Sequence, residues 1–175
     1  MDQHVVSFWP SANFARLETD TWGVVDATPD QVWKLFVEWS AISRWMKSPP
    51  STKEVSQSDL LPGQTESDIP RTRLVQFAGP HASEPKVPET LLHADPETRT
   101  LYYRVEGVRP SGYRNYLCYV TMDVHDKGTM LRLNARMDAP IGQAKAVQEA
   151  LQTIHAQGIL QAFRDYLAKA GSSSG

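Results

Sequence analysis

The side chains best suited to chemistry in this 175-residue chain are a glutamate, a histidine and two tyrosines at positions where spacing points them inward. Glu89 stands between Val87 and Leu91, an alternation that predicts a carboxylate on the inner face of a strand. Such a carboxylate is desolvated unless a partner sits close. It could then hold a ligand hydroxyl or carboxylate through water, or shift toward a general acid or base role. Lys47 could be that partner, and an outward Glu89 on a solvated sheet edge is the competing expectation. His155 follows Ile154 on the inner stripe of a C-terminal helix, where a near-neutral pKa suits proton transfer; a hydrogen-bonded core or rim histidine is the alternative. Tyr103 and Tyr116 could offer hydroxyls to a ligand, although buried tyrosines more often bond a backbone carbonyl while filling space. Cys118, flanked by Tyr116 and Val120, reads as a small buried hydrophobe with no cationic neighbour to make it a thiolate. Trp45, just before Lys47, is placed to act as an aromatic lid at the mouth of a cavity.

Other chemistries find little support. His4, His81, His93 and His125 are scattered, without paired spacing or neighbouring cysteines, so no metal is expected. No Gly-rich phosphate loop and no Gly-x-Ser-x-Gly elbow occurs, and no cofactor is expected. A formal net charge of -2 and a pI near 6.2 supply no basic field for nucleic acid. With 41% hydrophobic and 22% charged residues the composition is that of an ordinary folded domain. Cys118 is the lone cysteine, so no intrachain disulfide can form. The N-terminus lacks a signal-peptide pattern, and no run approaches the ~18 apolar residues of a membrane span, so a cytoplasmic protein without membrane insertion is expected.

The elements that must position these residues are legible as a change of period along the chain. Phe14 to Val25 alternates as a strand. Thr28, Pro29, Asp30 and Gln31 then form a helix start with a capping box, followed by Val32, Trp33, Phe36 and Trp39 at helical spacing. A second short helical piece spans 40–46 and stops before Pro49 and Pro50, giving a two-helix clasp. Over 53–139 the period becomes two, interrupted by turn signals, which predicts roughly six antiparallel strands. Leu101, Tyr103 and Val105 form one inner set. Tyr116, Cys118, Val120, Met122 and Val124 form another, and Leu131, Leu133, Ala135 and Met137 a third. Residues 142–170 read as one helix of roughly seven to eight turns, with Ala144, Val147, Leu151, Ile154, His155, Gly158 and Ala162 on its inner stripe. An α+β order of this kind predicts a strongly curved antiparallel sheet wrapped around the long helix. Small residues on the stripe leave space for a ligand. One domain over 1–170 and a flexible tail over 171–175 are expected.

Three stretches carry a resemblance. VDATPDQVWKLFVEWSAISRW (25–45), VPETLLHADPETRTLYYRVEG (87–107) and YRNYLCYVTMDVHDKGTMLRL (113–133) occur in the order found in the START/SRPBCC helix-grip superfamily. The chain resembles most its polyketide cyclase/dehydrase and lipid-transport branch, and more distantly the plant abscisic acid receptors. The resemblance implies ligand-facing positions at Lys47, Glu89, Tyr116 and Cys118. The receptors' Ser-Gly-Leu-Pro gate has no counterpart, because Ala78-Gly79-Pro80-His81 stands near that point.

The expected function is binding or transport of a small hydrophobic molecule such as a polyketide, lipid or aromatic metabolite. Expected contacts are Trp45, Lys47, Glu89, Tyr103, Tyr116, Cys118, Leu133, Leu151, His155 and Ile159. A cyclase or dehydratase using cavity acid/base groups is the alternative, and a protein-interaction module with a filled cavity is a third.

Overall fold

The computed structural model describes residues 13–47, 54–107 and 112–172. The turns and helices expected from the sequence largely form within these limits; Pro49, Pro50 and His4 lie outside them, as do residues 173–175 of the expected tail. Strand β1 covers Phe14–Val25. Helix α1 (Pro29–Val37) begins with the expected capping box: the Gln31 backbone N–H donates to Thr28 Oγ1 at 3.3 Å, and the Thr28 N–H donates to Gln31 Oε1 at 2.9 Å. A 3₁₀ turn (Trp39–Ala41) and helix α2 (Ile42–Trp45) complete the clasp. Val32, Leu35, Phe36, Trp39, Ala41, Ile42 and Trp45 are its buried residues, whereas Trp33 is only partly buried, packed against the core.

Six strands follow: β2 (Val55–Leu60), β3 (Arg71–Phe77), β4 (Val87–Asp95), β5 (Thr100–Val105), β6 (Arg114–His125) and β7 (Gly128–Pro140). With β1 they make one seven-stranded antiparallel sheet in the order β1-β7-β6-β5-β4-β3-β2. The clasp separates β1 from β2 in sequence, and β1 instead pairs along its whole length with β7, from Phe14 opposite Pro140 to Val25 opposite Thr129. The three inner sets from β5, β6 and β7 are buried, except Val124, which is 79% exposed near the end of β6. On the outer face Arg132 pairs with Asp20 at 2.5 Å, tying β7 to β1.

The C-terminal helical stretch is not the single α-helix that its sequence predicts. Helix α3 (Ala144–Thr153) passes into a π-helical segment (Ile154–Gln161) and then helix α4 (Ala162–Ser172), which takes in the first two residues of the expected tail. Within the π segment, with its i→i+5 repeat, His155 and Leu160 are both buried, and Phe163 is fully buried beyond them. Phe163 stacks on Phe36 (5.4 Å between ring centroids) and lies 4.2 Å from Trp45, locking the clasp to the helix.

The clasp is also pinned from the loop before β3. The Glu66 carboxylate accepts the Trp39 and Ser40 backbone N–H groups, both at 2.8 Å, and the Ser40 hydroxyl at 2.6 Å. Burial works to raise the Glu66 pKa, but these hydrogen bonds and the Arg71 charge outweigh it and hold the carboxyl below its ordinary value.

Candidate ligand-binding cavity

Between the concave sheet and the C-terminal helix lies a cavity of about 370 Å³. Its sheet wall comes from β2, β3, β4, β5 and β6 through Val55, Arg73, Val75, Phe77, Glu89, Tyr103, Val105 and Tyr116. Ile42 and Met46 close it from the clasp, and Val147, Leu151, Ile154, His155 and Ile159 from the helix. His81 and Glu84, 2.6 Å apart, belong to the wall from the segment after β3.

Beside that pair, two polar groups interrupt the apolar wall. The first is an ion pair. Arg73, 3% exposed, donates from Nε and Nη2 to Glu89 Oε2 at 2.9 and 2.6 Å, and from Nη1 to the Trp39 carbonyl at 2.9 Å. Its guanidinium carbon lies 3.6 Å from the centre of the Trp39 ring, and Trp39 Nε1 donates to the Glu89 carbonyl at 3.0 Å. The clasp thereby orients both members of the pair.

The second is a buried chain of neutral groups. The hydroxyls of Tyr103 and Tyr116 are 3.3 Å apart, and that of Tyr116 is 2.8 Å from His155 Nε2. Burial pushes both tyrosines well above their ordinary pKa and pulls His155 down to about 4. His155 Nδ1 is sealed from solvent with no hydrogen-bond partner. A proton on Nε2, donated to Tyr116, leaves only a lone pair stranded at Nδ1 instead of a buried N–H. Beneath the tyrosines, burial pushes the Cys118 thiol up to about 12, so it has no thiolate character.

The sequence-predicted contacts divide cleanly. Glu89, Tyr103, Tyr116, Leu151, His155 and Ile159 line the cavity. Cys118 and Leu133 are fully buried in the solid core and do not line it. Trp45 is not a lid: it is 3% exposed, wedged between Phe36 and Phe163. Lys47 does not reach Glu89 either. Its half-exposed side chain lies 3.5 Å from Glu54 and donates to the Val55 carbonyl at 3.3 Å, because β2 starts alongside it and supplies nearer acceptors. Arg73 takes the role expected of Lys47. Its signal was present in the sequence as Arg71, Arg73, Val75 and Phe77 at a period of two, which sets two arginines on the inner face of β3.

A curved sheet gripping a long helix over a partly apolar hollow defines a helix-grip, Bet v1-like protein. The chain belongs to the family described as polyketide cyclase/dehydrase and lipid transport, whose profile matches residues 18–168. No curated protein sequence matches it. Similar solved structures include norcoclaurine synthase from Thalictrum flavum in complex with dopamine and hydroxybenzaldehyde, at 12% identity and TM-score 0.66, covering 96% of this chain and 98% of that one. A Thermobifida fusca protein is 20% identical with TM-score 0.64, over 88% of this chain and 93% of its own. XoxI from Bacillus cereus is 18% identical with TM-score 0.61, over 86% and 94%. At these identities the likeness is one of fold. Among the described residues no helix is long and apolar enough to cross a membrane.

Proposed function

We propose that residues 1–170 form one domain that binds and carries a small, largely apolar molecule, held between the sheet and the C-terminal helix. The observation that carries this reading is the cavity of about 370 Å³, within the ordinary range of small-molecule sites and walled mainly by aliphatic and aromatic side chains. A polyketide, a lipid fragment or an aromatic metabolite suits such a wall. The same cavity speaks against the filled interior that an interaction module requires. A lone, buried Cys118 needs no oxidising compartment, which suits work in the cytoplasm.

Catalysis of the cyclase or dehydratase type is the second reading, favoured by one observation: Glu89 and the His155–Tyr116 pair open on the same void. Against it, an imidazole with a pKa of about 4 is a weak base, and two tyrosines raised by burial are weak acids near neutral pH. Carriage is therefore preferred. Native mass spectrometry of the purified full chain tests it: a co-purifying small molecule, released on denaturation, is expected. Protein that comes empty and binds no member of an apolar metabolite library would overturn the reading.

A further inference from the structure

The ion pair in the cavity wall is asymmetric. Arginine and carboxylate commonly meet with one N–H on each oxygen. Here Nε and Nη2 of Arg73 converge on Oε2 of Glu89, at 2.9 and 2.6 Å, and Nη1 is committed to the Trp39 carbonyl. Among the described residues nothing donates to Oε1 of Glu89. That atom is not among the side-chain atoms sealed off without a partner, and Glu89 retains 13% side-chain exposure while lining the cavity. A carboxylate oxygen in a largely apolar wall is a strong acceptor waiting for a donor.

Most other polar groups in the wall face one another. His81 faces Glu84 at 2.6 Å, His155 Nε2 faces the Tyr116 hydroxyl, and the two tyrosine hydroxyls face each other. Lys47, the cation that could have met an acidic ligand, lies outside beside Glu54. A ligand carboxylate would thus enter beside Oε1 with no cation in the described wall other than Arg73, whose charge is already paired with Glu89, at a cost in both repulsion and desolvation.

We propose that the cavity selects apolar molecules whose polar end donates a hydrogen bond, an alcohol, phenol or ammonium, with Glu89 Oε1 as the receiving atom, and that it discriminates against carboxylates. This rests on the carrier reading and names the chemistry of its ligand. Arg73 and Trp39 act as positioning residues: they hold Oε2 so that Oε1 points its lone pairs at the guest.

A matched probe series on the wild-type full chain decides the matter: naphthalene, 2-naphthol, 2-naphthylmethylammonium and 2-naphthoate, titrated calorimetrically at pH 7. The two donors are expected to bind about tenfold or more tightly than naphthalene, as for a hydrogen bond to a charged group, and 2-naphthoate most weakly. In Glu89→Gln, Arg73 keeps the amide oxygen and turns the NH₂ toward the guest, so the preference for 2-naphthol over 2-naphthoate should collapse or invert. Should that variant fail to fold, the wild-type series still decides. Binding of 2-naphthoate as tight as that of 2-naphthol overturns the proposal. Binding of all four with equal affinity overturns it too but leaves the carrier reading standing, and failure of all four, naphthalene included, overturns both.

Discussion

His155 is held neutral by burial alone, and that makes stability depend on pH in a defined direction. In the unfolded chain the imidazole titrates near 6.5, and in the fold at about 4. Above 6.5 neither state is protonated there and the residue contributes no pH dependence. As pH falls from 6.5 toward 4 the unfolded state takes up a proton that the folded state refuses, so stability is lost, in total about 3 kcal/mol, and below about 4 the loss levels off. Urea midpoints measured at pH 7, 6 and 5 should fall for the wild type and fall distinctly less for His155→Phe. Equal slopes would mean that the imidazole is hydrated or charged in the fold. At the same scale, the inward Glu89 was legible because Val87 and Leu91 set its face. Its partner was not, since Lys47 is near in the expected clasp whereas Arg73 arrives from a neighbouring strand, opposite Glu89 in the β3–β4 register.

Among the elements, the turn between β6 and β7 shows how closely the clasp is seated. Gly128 has φ +124°, and a Cβ there would come within 2.2 Å of the Val25 carbonyl oxygen and 3.0 Å of the Ala27 nitrogen. Next to it Thr129 Oγ1 donates to the Ala27 carbonyl at 2.7 Å, so the turn holds the chain where it leaves β1 and enters α1. Gly128→Ala combines backbone strain with a clash against main chain and should cost about 3 kcal/mol or more, read as a lowered denaturation midpoint. A loss below about 1 kcal/mol would show that the turn can move away from β1. The capping box of α1 was readable because its hydrogen bonds span three residues. The π segment was not. Nothing in the local spacing of 154–161 departs from an α pattern, yet Leu160, outside the inner stripe that an α spacing predicts, is buried.

For the whole molecule, the hollow can be filled without disturbing the frame. Val147, 3% exposed on α3, faces the cavity, so Val147→Phe projects its ring into space that is already open. Apolar probe affinity should fall about tenfold or more, while the thermal midpoint moves by no more than about 4 °C. A variant that binds as well as wild type would place the guest elsewhere.

Local pattern by itself determined the strand and helix order, the buried faces of β5, β7 and β6 short of Val124, and the helix start at Thr28, because each depends on near neighbours in the chain. Tertiary structure alone decided that Trp45 fills the core, that Lys47 turns outward, that Arg73 meets Glu89 and that one oxygen of that pair is left open. Those outcomes depend on which strand lies beside which and on how the helix sits across them, relations between residues far apart in sequence that no local period encodes.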